Sequence, residues 1–369
     1  MPPLPQIFQH TAMDRERLRW NPVRRCALLL SEDRNNRRPA DLLVYLVIAD
    51  GKLQLTAAHG FPQPVRDLLP MVLRAFIILR TPGSVSHGQP RHRLACRQFH
   101  RQRLCLDVTG VNRTALQLRL VQPFHPFHEI DVFGTLAAID GGNVAIPPFD
   151  AEIVRHLVQT EVARVLAAGA TPFLVGGDHS IVLPALRAIA SRHGPVTVMH
   201  VDAHLDTSDG EVWGNDFHHG TPLRHALEEG LIERGQLHQI GVRASLGSAA
   251  EATLGREFGA HVHSMDEIAA RGVEAIAAEV RRAAGLRNVY LTFDVDAIDP
   301  AFAPGTGTPV PGGLSSREAI ALLRGLAGIN LIGMDLVEVA PSLDHADVTC
   351  HLAAHLLYEG LALAALRMA

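Results

Sequence analysis

The chain has few cysteines for its length, four among 369 residues, and no two of them are spaced C-x-x-C. A chain of this size buries enough apolar surface to fold without disulfide staples. Its first twenty residues also lack an apolar stretch of signal-peptide length. Both absences predict a reducing compartment, and we expect a cytoplasmic location.

Long apolar runs and a strong charge of one sign are lacking as well. No segment approaches 18 apolar residues without a charge, so the sequence predicts no membrane span. The net charge of −4, with histidine neutral, gives no reason to expect a nucleic-acid partner. A weakly acidic surface mildly favours a cationic substrate.

Short apolar runs alternate with helical patterns from residue 129 to residue 369. The runs are continuously apolar, as are strands buried on both faces of a parallel sheet. Five of them read TPFLVGGDHS, PVTVMHVDAH, QLHQIGVRA, NVYLTFDVDAID and INLIGMDLVEVAP. Stretches such as VEAIAAEVRRAAGL repeat apolar residues at three- and four-residue spacing. This alternation predicts a three-layer α/β/α sandwich with a mainly parallel central sheet.

Residues 1–128 show a different, atypical pattern. PADLLVYLVIADGKLQL predicts a strand pair that turns at Asp50 and Gly51, and LLPMVLRAFIILR is apolar enough for a buried helix. Between residues 80 and 119 there are eight arginines and a single acid, with no clear period. The interleaved aromatic residues that would favour a nucleic-acid arm are missing there. We therefore predict an irregular N-terminal region ahead of a catalytic domain that spans 129–369.

Three of the predicted strands end in residue types that bind metals. The six candidate ligands are His179, Asp202, His204, Asp206, Asp294 and Asp296. Alternate residues of an extended chain point to one side, and sites in open parallel sheets gather at the carboxyl ends of strands. We therefore expect these six side chains to converge. Each motif alone could be a strand-end turn or cap, because aspartate favours both, but three at separate strand ends favour a metal site.

The charge of this set indicates the number of metals. Four carboxylates buried together would repel one another, whereas two divalent cations would balance their charge of −4. The set is rich in oxygen and has no thiolate, which favours a hard metal, and we expect Mn²⁺. Two such ions would activate a water molecule for attack at physiological pH.

The ordered motifs GGDHS, DAHLD, HHGTP, FDVDAIDPAFAPGTGTP and MDLVEVAP resemble the signature of the ureohydrolase (arginase/agmatinase) superfamily. The resemblance covers about 129–369 and is greatest to the agmatinase and guanidinobutyrase branch. It implies an enzyme that splits a linear guanidino compound into urea and an amine. It also implies a homo-oligomer, a trimer or a hexamer.

The resemblance further implies a role for each residue of the site. One metal would be held by His179, Asp202, Asp206 and Asp294, and the other by His204, Asp202, Asp294 and Asp296. His219, in HHGTP, would shuttle a proton, and Glu338, in VEVAP, would bind the guanidinium. A carboxylate that accepts two parallel hydrogen bonds suits a planar guanidinium, and histidine can protonate a leaving amine near neutral pH. Without the metal cluster, a loop histidine and a strand-end glutamate on the surface would be the preferred interpretation of the two residues.

The substrate tail and the N-terminal region leave alternatives open. Agmatine, hydrolysed to putrescine, is the first expectation, and guanidinobutyrate or another guanidino acid is the second. Acids in the loop after Asp206, namely Asp209, Glu211 and Asp216, would suit a second positive charge near Trp213, or would simply be solvated.

The opening motif usual in the family, a strand like G-x-P-x-D followed by a glycine-rich loop, is missing from residues 1–128. A divergent or replaced segment and a reading-frame artefact both explain this. A different class of function, that of an inactive metal-binding homologue with a regulatory role, is therefore an alternative. A metal-dependent deacylase is a third, but it would give Glu338 no obvious use.

Overall fold

The computed structural model describes residues 25–30, 42–49, 52–57, 75–80, 121–144, 150–210 and 215–369, and it divides the chain into two units, Met1–Leu68 and Leu69–Ala369. In the first unit, β1 (Arg25–Leu30), β2 (Leu42–Ala49) and β3 (Lys52–Ala57) form an antiparallel sheet in that order. The predicted strand pair is confirmed as β2 and β3, and its turn lies outside the described residues.

The second unit contains the main sheet and the helices. Its strands are β4 (Ala75–Arg80), β5 (Phe124–His125), β6 (Ile130–Asp131), β7 (Ala137–Gly142), β8 (Thr171–Val175), β9 (Val196–Val201), β10 (Ile232–Val242), β11 (His261–Ser264), β12 (Asn288–Asp294) and β13 (Asn330–Val337). Its helices are α1 (Val132–Thr135), α2 (Ala151–Ala167), α3 (Val182–His193), α4 (Pro222–Glu228), α5 (Ala249–Glu257), α6 (Met265–Arg271), α7 (Val273–Ala284), α8 (Ser316–Gly325) and α9 (Val348–Met368).

The main sheet has eight strands in the order β11-β10-β9-β12-β13-β8-β4-β7. The six strands from β11 to β8 are mutually parallel, which confirms a mainly parallel sheet. Strand β4 runs antiparallel to both of its neighbours. The helix predicted over LLPMVLRAFIILR is wrong at Ala75–Arg80, because a short apolar run does not distinguish a buried strand from a buried helix. The domain boundary expected after residue 128 stays a prediction, and β4 comes from the region before it.

Helices cover the parallel part of the sheet on both faces. On one face α2, α3 and α4 pack over side chains such as Leu174, and on the other α6 to α9 pack over side chains such as Phe173. These two consecutive residues of β8 belong to different cores because side chains alternate along a strand. The predicted three-layer α/β/α sandwich is confirmed.

Helix α9 is apolar on nearly all sides. By length and composition it passes the test for a membrane span, and 78% of its apolar window is buried inside the fold. Its one buried acid, Glu359, accepts hydrogen bonds from Arg324 of α8 and from His125 of β5. This burial and this pairing are those of a core helix.

Candidate metal centre

The predicted ligands lie at the carboxyl ends of strands that are neighbours in the sheet. Asp202 follows β9, Asp294 ends β12, and His179 lies in a short 3₁₀ turn beyond β8. Glu338 follows β13, which lies between β12 and β8. Because these strands are parallel, their ends meet at one edge of the sheet.

A first group of side chains surrounds the imidazole of His179. Its Nδ1 atom lies 2.9 Å from Asp202 Oδ2, 2.9 Å from Asp206 Oδ2 and 3.3 Å from Asp294 Oδ2. All four side chains are buried. One ring nitrogen and three carboxylate oxygens therefore face a common point.

A second group surrounds His204, which is more exposed than the others. Its Nδ1 atom lies 3.0 Å from Asp296 Oδ2 and 3.3 Å from Asp202 Oδ1. Asp202 thus presents one carboxylate oxygen to the His179 group and the other to the His204 group, and the two groups lie side by side. The structure therefore brings together the six side chains that the sequence predicts as ligands, with Asp294 placed there by its contact with His179.

The backbone around this centre is held in uncommon conformations. Asp206 and Glu338 have φ of 54° and 63°, in the left-handed region that few non-glycine residues adopt. Gly241 has φ of 102°, and a Cβ there would lie 3.1 Å from the carbonyl oxygen of Asp202. Strain of this kind persists where the surroundings over-determine it, and it is common at functional sites.

Burial and mutual repulsion set the protonation of the carboxylates. Burial, reinforced by Asp296 and Asp202, raises the pKa of Asp294 well above its ordinary value, and burial with Asp202 also raises the pKa of Asp296. Burial opposes the charged form of His204, but Asp202 and Asp296 outweigh it and raise its pKa to about 11. Without a cation the cluster therefore holds protons in order to lower its own repulsion.

A chain of buried hydrogen bonds fixes the orientation of the His179 ring. The hydroxyls of Tyr290 and Thr292 donate to the two oxygens of Asp335, each over 2.6 Å. Since the Thr292 proton points to Asp335, the Thr292 oxygen accepts from Nε2 of His179, 2.7 Å away. His179 therefore carries a proton on Nε2.

This arrangement supplies the test of whether a metal fits. With Nε2 held by Thr292, Nδ1 of His179 faces three carboxylate oxygens, which outweigh burial and raise the pKa of the ring well above its ordinary value. Once deprotonated, Nδ1 would turn its lone pair towards an ion among those oxygens. Among the described residues, His179 Nδ1 and Asp206 Oδ2 are buried and have no hydrogen-bond partner. A lone pair that faces anionic oxygens is repulsive unless a cation lies between them. The donor set fits a hard divalent ion.

His200 is a residue of the site that the sequence analysis missed. Its Nε2 donates to Asp202 Oδ2 over 2.8 Å, and Gln239, which donates to the carbonyl of Leu205, lies 3.4 Å from its Nδ1. His200 is fully buried and orients Asp202 from behind. Its position two residues before Asp202, on the same side of the strand, is the signal that could have found it.

Glu338 lies beside the first group and is buried. Its Oε1 accepts the backbone N–H of His179 over 2.8 Å, which turns its carboxylate towards the start of that turn. Burial, with Asp178 close by, raises the pKa of Glu338 to about 8. A cationic partner would favour the ionised form of this carboxylate.

His219 lies in the loop between Asp206 and α4 and is half-buried. The backbone N–H of Ser208 donates to the carbonyl of Gly220 over 3.0 Å, which ties the His219 loop to the chain just after Asp206. Within the described part of the chain, His219 belongs to neither group of candidate ligands. Its expected neighbours Glu211 and Trp213 lie outside the described residues.

The glycine-rich loop GTGTP also reaches the centre. The hydroxyl of Thr308 donates to Asp296 Oδ2 over 3.1 Å. The guanidinium of Arg243 donates to backbone carbonyls of Gly241, Asp296 and Val310, so it joins the end of β10 to both loops. Neither side chain can be given a role from the sequence alone, because their partners are remote in the chain.

Comparisons with known proteins agree with this geometry. The sequence pattern of the Arginase family matches residues 110–362. A guanidinobutyrase from Pseudomonas aeruginosa is 42% identical over 242 residues, which are 66% of this chain and 76% of that protein. An agmatinase from Photorhabdus laumondii is 42% identical over 230 residues, which are 62% of this chain and 71% of that protein.

A solved structure shows the same likeness. The proclavaminate amidinohydrolase of Streptomyces clavuligerus matches with a TM-score of 0.66 and 37% identity, over 70% of this chain and 85% of that one. Its sequence is 42% identical over 231 residues, which are 62% of this chain and 74% of that protein. The likeness therefore extends over most of the second unit.

Proposed function

The chain belongs to the arginase family of ureohydrolases, and from that premise we propose that it hydrolyses a linear guanidino compound to urea and an amine. Agmatine is the substrate that we propose. The observation that carries the proposal is the buried cluster around His179, Asp202 and His204. Its excess of carboxylate oxygens would be balanced by two divalent cations. The amidinohydrolase and agmatinase relatives support the reaction class.

The metal would be held by the residues of the two groups. His179 and Asp206 would bind one ion, His204 and Asp296 the other, and Asp202 and Asp294 would contribute to both. When bound, two divalent ions, which we propose to be Mn²⁺, would activate water as the nucleophile and offset negative charge. The buried relay of Thr292 and Asp335 keeps the Nδ1 lone pair of His179 free for this role.

Glu338 would bind and orient the guanidinium. A carboxylate matches two N–H groups of a planar guanidinium through parallel, charge-assisted hydrogen bonds. Oε1 of Glu338 is already positioned by the His179 backbone N–H, so the carboxylate is pre-oriented. A guanidinium would ionise Glu338, whose pKa of about 8 reflects burial without a cationic partner.

His219 would deliver a proton to the departing amine. Histidine exchanges protons near neutral pH, and an amine is a poor leaving group until it is protonated. The tie between Ser208 and Gly220 keeps its loop beside the ligands. This role is part of the proposal.

The tail of the substrate separates two candidates. Agmatine carries a second positive charge, whereas 4-guanidinobutyrate carries a carboxylate. Asp209 and Asp216, in the loop before His219, favour a cationic tail by their charge. The similarity to a guanidinobutyrase at 42% identity keeps the guanidino acid as the second candidate.

Urea release tests the reaction and the tail together. Purified, Mn²⁺-loaded protein is offered agmatine, 4-guanidinobutyrate and arginine separately. We expect urea from agmatine, loss of urea in Asp294→Asn, and normal rates in the matched control Asp266→Asn, an exposed acid of α6.

Three other outcomes have distinct meanings. Urea from 4-guanidinobutyrate alone would overturn the agmatine assignment. Bound metal without urea from any substrate would favour the inactive homologue. No bound metal and no urea would overturn the proposed function itself.

We also propose a cytoplasmic homo-oligomer, a trimer or a hexamer. Light scattering on the purified protein checks the assembly, because a monomeric mass contradicts it. Cell fractionation checks the location.

A further inference from the structure

The loop that carries His219 holds an aromatic side chain, Phe217, two residues before it. Phe217 is half-buried and packs against the core that α2 and α3 cover. Its ring is stacked on that of His225 in α4, with 5° between the planes and 4.2 Å between the centroids. The guanidinium of Arg155 in α2 lies 4.1 Å from the centroid of the same phenylalanine ring. One side chain therefore joins the loop to two helices.

Both contacts depend on the aromatic ring of Phe217. Stacked flat rings gain attraction beyond the burial of their apolar area. A positive guanidinium is drawn to the negative face of an aromatic ring. A side chain of similar volume without a ring, such as leucine, would lose both contacts.

Polar groups hold the partners of Phe217 in place. His225 Nε2 donates to the backbone carbonyl of Asp216 over 2.8 Å, so the stacked histidine also fixes the residue before Phe217. Arg187 of α3, whose guanidinium lies 5.8 Å from the Phe217 ring, donates to Glu229 over 2.8 Å and 2.6 Å. Glu229 directly follows α4, so this ion pair ties α3 to α4 beside the ring.

A closed turn connects Phe217 to His219. The hydroxyl of Thr221 accepts the backbone N–H of His218 over 3.2 Å and donates to the carbonyl of His218 over 3.0 Å. The N–H of Gly220 donates to Nδ1 of the His218 ring over 3.1 Å. His219 lies in the middle of this hydrogen-bonded turn. A fixed position of Phe217 therefore restrains the position of His219.

We propose that Phe217 is a positioning residue, which anchors the loop so that the imidazole of His219 is in place when the amine departs. The inference rests on the proton delivery proposed for His219. A proton donor must lie within hydrogen-bond reach of the leaving group, and a displacement of about 1 Å can lower the rate by about 100-fold. Glu338, which would bind the guanidinium, follows a different strand. Loss of the anchor should therefore lower kcat and leave KM and the Mn²⁺ content unchanged.

Two replacements of the ring test the proposal in Mn²⁺-loaded protein. Phe217→Leu keeps an apolar side chain, whereas Phe217→Tyr keeps the ring. We expect kcat for urea release from agmatine to fall by about 10- to 100-fold in Phe217→Leu, with KM within about twofold, and to recover in Phe217→Tyr. The matched control Phe258→Leu, at a half-buried phenylalanine on the same core, should keep the normal kcat. Circular dichroism verifies that each variant folds.

Hydrogen exchange gives a readout that does not depend on urea release. In Phe217→Leu the amides of residues 216–221 should exchange about tenfold faster, because the loop opens locally, while β9 and β12 keep their protection. This measurement separates the two proposals. If the wild-type protein releases no urea, the proposed function fails, and the exchange of residues 216–221 alone decides whether Phe217 anchors the loop.

Three results would overturn the role of Phe217. One is unchanged exchange of residues 216–221 in Phe217→Leu. Another is a normal kcat of that variant in an active enzyme. The third is a loss of kcat that Phe217→Tyr or Phe258→Leu shares, or that accompanies an equal loss of Mn²⁺, since a general disturbance of the core would then explain it.

Discussion

His179, just beyond strand β8, and His238, within strand β10, are both buried histidines, yet their pKa values shift in opposite directions. At His179 burial opposes the charge, but Asp206, Asp202 and Asp294 outweigh it and raise its pKa well above the ordinary value. At His238 burial acts alongside other histidines, and the pKa falls to about 4. The comparison teaches that the neighbours of a buried imidazole, more than its burial, decide its protonation.

The two positions also differ in their place in the sheet. His179 lies where the carboxyl ends of central parallel strands meet, and there loops bring in acids from several strands. His238 lies on the last pair of strands, where only its own face and the adjoining helices supply neighbours. The centre therefore gathers negative charge, whereas the charged neighbours of His238 are His261, His263 and Glu279.

Replacing His179 should give the largest effect. His179→Asn removes one ligand and leaves the oxygens of Asp202, Asp206 and Asp294 facing one another. We expect urea release and Mn²⁺ affinity to fall by more than about 100-fold, since replacing a residue that only hydrogen-bonds to a metal ligand already lowers metal affinity by about 10–100-fold. Urea assays and metal analysis measure both, with His156→Asn as the control. A His179→Asn protein with normal Mn²⁺ content would contradict the comparison.

Breaking the relay behind His179 should give a smaller effect. Thr292→Val removes the acceptor of the Nε2 proton and frees the ring to change tautomer. We expect Mn²⁺ affinity to fall by about 10–100-fold, whereas Thr292→Ser, which keeps the hydroxyl, retains it. Chelator competition measures the dissociation constant. Equal Mn²⁺ affinities in Thr292→Val and Thr292→Ser would show that the hydrogen bonds behind His179 do not support metal binding.

The pH dependence of Mn²⁺ binding tests the raised pKa of His204. That pKa is about 11 without metal, so binding near neutral pH must displace a proton. Affinity should rise with pH by about tenfold per unit for each proton displaced. Titrations between about pH 6 and about pH 9 measure the slope. An Mn²⁺ affinity that does not change with pH would contradict the raised pKa of His204.

His204 also makes the stability of the metal-free protein depend on pH. A histidine whose folded pKa is raised stabilises the fold fully below its unfolded pKa, and this contribution is lost as pH rises towards about 11. Melting temperatures in a chelator should therefore fall with rising pH. Saturating Mn²⁺ should reverse the fall, because it binds the folded state.

The convergence of the six candidate ligands could be predicted from the sequence because each lies at or just beyond the end of an apolar run. Parallel strands place such ends at one edge, so spacing along the chain is enough to bring Asp202 and Asp294 together. Strand β4 lies where the sequence predicts a helix, because AFIILR is too short to show a period.

The relay could not be predicted, because it depends on pairing between distant strands. Thr292 and Asp335 are register partners on β12 and β13, and each is a single polar residue within an apolar run. Only the register of the two strands shows that their side chains meet. The same holds for Gln239 of β10, which approaches His200 of β9 from the neighbouring strand.

The smallest expected effect concerns the edge of the sheet. In metal-free protein, His238→Leu removes two buried nitrogens without partners and keeps an apolar side chain in their place. We expect the free energy of unfolding to rise by about 1 kcal/mol, since an unpaired buried polar atom costs about that much. Urea denaturation in a chelator measures it, with the exposed His156→Leu as the control. A loss of stability instead would show that the imidazole of His238 already has partners in the metal-free fold, and the contrast with His179 would then rest on charge alone.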